Sequence, residues 1–313
     1  MKRFYLNASA FIALLLITVI GLDMLSMFGG TRIILAKLTD STEYISDHTG
    51  SADIIPQIEK AMAKDGTTKL IIGDSVCRQL FNGLQDINSE DFTIIGSNAA
   101  ITMAGQYILA AEYLKAHPNA TDIYLFALPP SLKRTFDTEL GYQYVIMPFA
   151  ETDTLCNLDS GTISLLEGVY GKFFMKKNIV KAIDLSGINR KLFLNYLLDN
   201  AEGYEPASYF ELADKYVCEI DRLCKENNVK FHFYPCPRIE SSREAMEDIK
   251  GEFNNSAVSK INPEYMDMIY YFPDGKSEDG THFSPEYATQ EQLNTVITEM
   301  LNGNELLKSL KLR

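Results

Sequence analysis

The sequence has no run of basic residues longer than a pair such as Lys133-Arg134 or Lys176-Lys177. Lysine and arginine number 29 against 42 aspartates and glutamates, a formal net charge of -13. Phosphate backbones are held by clustered cations, so no nucleic acid is expected as a partner. Cys-x-x-Cys is also missing. The cysteines, Cys77, Cys156, Cys218, Cys224 and Cys236, are odd in number, so neither a zinc knuckle nor a complete disulfide framework can be read from them, and at least one thiol stays unpaired within the chain. Cys218 and Cys224 fall six positions apart on an expected helix, too far round it for an easy bridge, and read as small buried hydrophobes. The stretch "DGKSEDG" (274–280) lacks the alternating oxygen ligands and terminal Glu of a calcium loop. No metal and no cofactor are expected. Internal repeats and low-complexity tracts are absent. What is present is a 313-residue chain with 46% hydrophobic residues, enough for one large or two small domains with a sizeable core.

The N-terminus differs from the rest. Lys2 and Arg3 precede "FYLNASAFIALLLITVIGL", an uncharged segment from Phe4 to Leu22 that Asp23 ends. Its length is close to the roughly 20 residues that cross a bilayer. Positive charge before it and an acidic chain after it predict a single-pass anchor over residues 1–30, with the N-terminus in the cytoplasm and the remainder outside. A cleaved secretory signal is the alternative, although "DMLSMFGG" offers no Ala-x-Ala cleavage site. Both readings export the chain, and the first makes the bilayer a partner.

A linker and leading helix are expected over 31–65. From there to the C-terminus, short apolar runs alternate with helical spacing, the pattern of an α/β fold whose parallel sheet is covered on both faces. Strands are predicted at 68–73, 91–96, 122–128 and 229–235, with "MDMIYYF" (266–272) as a candidate fifth. Helices are predicted over 103–116, 210–225 and 285–301, the last opened by Pro285 in its first turn. Residues 129–205 break the rhythm and are too long for a connection, so they form an insertion in the 66–313 domain. It begins where ligands bind in open α/β sheets, and reads either as a lid that shapes the substrate site or as structural filler.

In "KLIIGDSVCRQLF" (69–81), Ser75 stands between a strand and a helix, where serine is ordinarily an N-cap. A second motif, "EDGTHFSPEY", places Asp279 three residues before His282, with Gly280 able to take the tight turn that brings carboxylate to imidazole. Gly73-Asp74-Ser75 early and Asp279-x-x-His282 late resemble the first and last sequence blocks of the SGNH, or GDSL, hydrolase superfamily, over roughly residues 66–302. The resemblance implies a three-layer α/β/α, flavodoxin-like fold. It also implies Ser75 as nucleophile, His282 as general base and Asp279 as the group that orients the imidazole. Serine chemistry calls for such a set on its own terms: a hydroxyl is a poor nucleophile without a base to take its proton, and an imidazole titrates near neutrality. The helix after Ser75 also directs its first backbone N–H groups toward a developing oxyanion.

The middle blocks depart from the family. "IIGSNAAITMAGQ" resembles the second block, so Gly96, Asn98 and Ala100 are the oxyanion and substrate-binding candidates, with Ala100 where the family's oxyanion Gly is usual. The Gly-x-Asn of the third block is absent, and "FALPPSL" stands there. Loss of one such donor can cost about 3 kcal/mol of transition-state stabilisation, which Asn98 could supply instead. A Pro-containing turn at that point, another in "YPCPRIE", and the N-terminal anchor resemble the exported SGNH-like proteins that add or remove acyl groups on cell-surface glycopolymers, including acetyl on polysaccharide or peptidoglycan and D-alanine on teichoic acids.

The expected function is therefore an extracytoplasmic serine-dependent ester hydrolase or O-acyltransferase. Its partner would be an acylated cell-surface polysaccharide or cell-wall polymer, with a membrane protein as acyl donor in the case of transfer. The alternative is a non-catalytic SGNH-like scaffold or assembly factor at the envelope. His232, at an alternating strand position, reads as a satisfied core or edge histidine. His48 and His117 have no acidic or cysteine partner near them in sequence, and His117 suits a helix C-terminus. Arg78 and Arg238 could meet an anionic substrate, although solvated charges are the commoner outcome.

Overall fold

Four of the expected strands form, and all run parallel: β1 (Lys69–Gly73), β2 (Phe92–Gly96), β3 (Asp122–Ala127) and β4 (Lys230–Pro235), in the order β2-β1-β3-β4. The structure, a computed structural model, describes residues 2–26, 50–98, 101–136, 138–185 and 210–312. Residues 31–49 of the expected linker, His48, Ala100 and positions 186–205 of the insertion lie outside the described residues. The helices used below are α1 (Lys2–Ser26), α2 (Gly50–Met62), α3 (Ser75–Phe81), α4 (Thr102–Ala116), α5 (Glu211–Glu226) and α6 (Gln290–Met300).

Alternation along each strand sorts the core onto two faces. Leu70 and Ile72 of β1 point with Ile123, Leu125 and Phe233 into a cluster built by α2, α4 and α5; Ile71 points the other way, with Tyr124 and Phe126, against Val76, Leu80 and Phe81 of α3 and Val296 and Ile297 of α6. Burial on both sides is why β1, β2 and β3 are apolar over most of their length, whereas edge strand β4 is only partly buried. The result is an α/β fold, a four-stranded parallel sheet with helices on both faces, compatible with three layers α/β/α.

Sheet edges are closed by side chains. At β2, Gln85 donates to Phe92 O at 3.1 Å and accepts from Ile94 N at 2.8 Å. At β4, Asn262 Nδ2 donates to Phe233 O at 2.8 Å.

Two expectations are corrected. The run 266–272 adds no fifth strand to the sheet; only β6 (Tyr271–Phe272) is extended, and it pairs in parallel with β5 (Arg238–Ile239) as a separate two-stranded ladder. Tyr265 instead spends its hydroxyl on Ala127 O at 2.6 Å, which ties this segment across the end of β3 rather than along β4. Pro285 does not open the last long helix. Tyr287 N and Ala288 N close a turn onto Ser284 O, and the helix starts at Gln290 after Thr289. The described part of the insertion is well packed: Leu132, Phe136, Tyr142, Ile146 and Phe149 are fully buried in the core that contains α2 and α4.

α1 is a 25-residue helix in which Phe11, Ile12 and Leu14 to Ile17 are all more than half exposed. Among the described residues no helix is long and apolar enough to cross a membrane; several α1 side chains, including those of Lys2 to Phe4, Leu6, Ile20 and Leu22, lie outside the described set.

Candidate active site

The strand order turns back between β1 and β3: β2 lies on one side of β1 and β3 on the other. At such a switch point the loops leaving the strands diverge and open a crevice at their carboxyl ends. Ser75 follows β1 at that point. Glycine lets α3 press close to the strand ends. A Cβ on Gly73 would lie 2.3 Å from Phe126 O, and one on Gly96 would lie 2.3 Å from Arg78 Cα. Gly96 is itself buried, so its place is taken up by the contact between β2 and α3.

Asp74, and not Ser75, caps α3. Its Oδ1 accepts from Val76 N at 3.0 Å and Cys77 N at 3.3 Å. Its Oδ2 accepts from Leu128 N at 2.5 Å and from the Ser131 hydroxyl at 3.3 Å, so the same carboxyl ties β1 to the Pro129-Pro130 turn that leaves β3. At 1% exposure, burial pushes its pKa up, while the N–H donors of Leu128, Cys77 and Val76 and the Cys236 thiol favour the ionised form. With the cap supplied by its neighbour, Ser75 sits in the first helical turn with its hydroxyl released from that duty.

The Asp279–His282 loop is shaped by its own backbone. Gly280 takes φ +79°, the left-handed conformation expected of it. Glu278 N and the Ser277 hydroxyl both donate to His282 O, at 3.0 and 2.8 Å. Asp279 Oδ1 accepts from Thr281 N at 2.9 Å and His282 N at 2.7 Å. Its Oδ2 lies 2.7 Å from His282 Nδ1, and His282 Nε2 lies 2.7 Å from Ser75 Oγ. A carboxylate only accepts, so Nδ1 carries the ring proton and Nε2 offers its lone pair to the serine hydroxyl. Burial raises the Asp279 pKa, but the two backbone N–H groups and the imidazole outweigh it and bring it to about 2. A depressed carboxyl contributes stability above its ordinary titration range and loses it as pH falls toward that value. From mildly acidic to alkaline pH, Asp279 is therefore a constant anion. The arrangement can move a proton from Ser75 to His282 and hold the resulting imidazolium.

One residue that positions this set was not singled out from the sequence. Gln79, four residues after Ser75 on α3, donates from Nε2 to Phe283 O at 3.1 Å and accepts from Phe283 N at 3.0 Å. This two-bond clamp joins the serine helix to the histidine loop across 204 positions. The available signal was the i, i+4 spacing that puts Gln79 and Ser75 on one helical face. Gln79→Ala leaves both polar backbone groups of the fully buried Phe283 without partners. The expected loss is about 2–3 kcal/mol in urea unfolding, with the imidazole of His282 no longer held against Ser75 Oγ. A stability change below about 0.5 kcal/mol, within the usual range for a surface substitution, would show that the clamp is not holding the loop.

The remaining candidates fall as follows. Asn98 is half-buried at the end of β2. Thr102, the first residue of α4, is held at φ 61°, a strained value for a β-branched residue. Arg78 is paired with Asp53 of α2 at 2.8 Å rather than with the crevice. His232 bonds Asp122 at 2.9 Å and stacks on Tyr124 as a satisfied histidine. His117 is the C-cap of α4, buried, with Asp65 at 2.9 Å and Tyr113 O at 2.9 Å. All five cysteines are free; Cys224 is buried and Cys218 only half-buried. Arg238 is not solvated, at 9% exposure. Comparisons with protein-family models, with curated proteins and with solved structures gave no match.

Proposed function

We propose that the protein is an SGNH-type serine esterase or O-acyltransferase, of the flavodoxin-like α/β/α kind, acting on acyl esters of cell-surface polysaccharide or another glycopolymer. The observation that carries this reading is the 2.7 Å approach of His282 Nε2 to Ser75 Oγ, with Asp279 behind the ring at 2.7 Å. Ser75 Oγ attacks the ester carbonyl as its proton passes to Nε2. The imidazolium is stabilised by Asp279 and returns the proton to the departing sugar oxygen, which leaves an acyl-serine. His282 then activates the second acceptor. Water as acceptor makes hydrolysis, and a sugar hydroxyl makes transfer. The tetrahedral oxyanion is received by the backbone N–H of Ser75, with Asn98 as the side-chain donor in place of the missing third-block Asn.

The test is turnover of an acetyl-ester reporter, with and without an added saccharide, in the wild type and in Ser75→Ala. Turnover in water supports hydrolysis. Turnover that needs the saccharide supports transfer, with a membrane protein as acyl donor in the cell. Absence of both, with the fold intact, contradicts the enzymatic reading and leaves an envelope scaffold.

The same reading places the catalytic domain outside the cytoplasm on a transmembrane α1. Its support is the uncharged run Phe4–Leu22 behind Lys2 and Arg3, helical throughout and exposing its described apolar side chains. Alkaline carbonate extraction of membranes is expected to leave the chain in the pellet. Quantitative release to the supernatant contradicts the anchor.

A further inference from the structure

Arg238 leaves β4 through the turn Pro235-Cys236-Pro237 and opens β5. It is 9% exposed, a rare position for a side chain that is always charged and carries five N–H donors. Its backbone N–H is used, donating to Tyr270 O at 2.9 Å. Its guanidinium makes one hydrogen bond among the described residues, from Nη1 to Thr281 Oγ1 at 3.3 Å. Nε is buried and meets no acceptor.

The carboxylates whose charge reaches Arg238 are Asp74 and Asp279, and both are committed elsewhere. Asp74 holds α3 and the β3 turn. Asp279 holds Thr281 N and both nitrogens offered by His282. Neither forms an ion pair with Arg238 among the described residues. A buried cation with one neutral partner is expensive unless an anion completes it. Thr281 stands directly before His282, so the guanidinium is fastened to the loop that carries the imidazole. The planar guanidinium, through its two Nη groups end-on, matches a carboxylate or phosphate, which it grips with two parallel bonds. On a chain of net charge -13 an acidic polymer is repelled at long range, and a cation fixed beside the reacting ester offsets this locally.

We propose that Arg238 is an anion subsite of this centre, receiving a carboxylate or phosphate oxyanion that the substrate carries close to its ester. It rests on the serine-ester reading above for the word substrate, while the binding itself does not require turnover. The long contact to Thr281 exchanges for the oxyanion when ligand arrives.

The experiment is a titration of the full chain carrying Ser75→Ala, by calorimetry and thermal shift, with D-glucuronate, with its neutral counterpart D-glucose, and with inorganic phosphate. Saturable binding of an anion and none of glucose is expected. Tighter glucuronate points to a uronate-bearing polymer, tighter phosphate to a phosphodiester one. Arg238→Gln is expected to weaken the preferred anion about tenfold or more, as loss of a bidentate charged pair does, and Arg238→Lys to fall between, since it keeps charge but loses the fork. The ligand-free melting temperature of each variant reports folding, and Arg238→Lys decides if Arg238→Gln does not fold. No saturable anion binding, or equal binding in wild type and the variants, overturns the subsite. Ester turnover measured separately on the Ser75 chain keeps the two readings apart. Oxyanion binding without turnover removes the serine chemistry and keeps the subsite, and turnover without oxyanion binding does the reverse.

Discussion

Under the proposed serine-ester chemistry, His282→Ala is expected to lower kcat/KM for an acetyl ester by about 10³- to 10⁴-fold, and Ser75→Ala by at least as much, with no further loss when the two are combined, because groups that act as one unit are not additive. The pH profile of the wild type identifies the group at work. Protonated imidazole cannot accept the serine proton, so kcat/KM falls on the acid side along a single-proton limb, about tenfold per pH unit once the ring is charged. Asp279 does not supply that limb, since the N–H groups of Thr281 and His282 keep it ionised down to about pH 2. A flat profile from mildly acidic to alkaline pH contradicts His282 as the base. Asp279→Asn is expected to preserve the loop bonds through its amide oxygen while its NH2 faces Nδ1, which favours the tautomer with the proton on Nε2 and removes the acceptor that Ser75 needs.

Asp74→Ala destabilises the protein by about 3–5 kcal/mol, the cost of stranding several buried donors at once. Five donors converge on this carboxyl, at Val76 N, Cys77 N, Leu128 N, the Ser131 hydroxyl and the Cys236 thiol, in a site with 1% exposure. The loss of an N-cap alone accounts for about 0.5–2 kcal/mol. The excess measures the tie between the ends of β1 and β3, which a helix cap by itself does not include. Urea unfolding with an unchanged m-value checks it. A loss confined to about 1 kcal/mol, that of an ordinary cap, contradicts the tie.

The parts of this molecule that were legible in the sequence are those whose cause is local. β1, β2 and β3 are largely buried because both faces are covered, so a short hydrophobic run identified each of them without knowledge of its neighbours. Asp279, Gly280 and His282 are three residues of one turn, and Gly280 is forced by the positive φ it adopts. What was not legible depends on partners far along the chain. Whether Asp74 or Ser75 caps α3 is decided by Leu128 and Ser131, more than fifty positions on, which occupy the second oxygen of Asp74. Gln79 is unremarkable until Phe283 stands opposite it. The apolar run 266–272 has strand composition, yet Tyr265 reaches Ala127 O and the edge carbonyl of Phe233 goes to Asn262, so only two residues extend. Pro285 is a good first helical residue, but Ser284 O draws Tyr287 N and Ala288 N into a turn first. The length of the insertion marked it as more than a connection; how its aromatics pack into the core was not legible.

The central claim is that one hydroxyl is activated by one ring. A serine-reactive phosphonate tests this directly: it is attacked by an activated oxygen and stays attached, so the adduct can be located by peptide mass. One adduct is expected, on Ser75, formed in the wild type, formed more slowly in Gln79→Ala, and absent from Ser75→Ala and His282→Ala. Modification at another residue, or a Ser75 adduct that forms equally fast without His282, contradicts it.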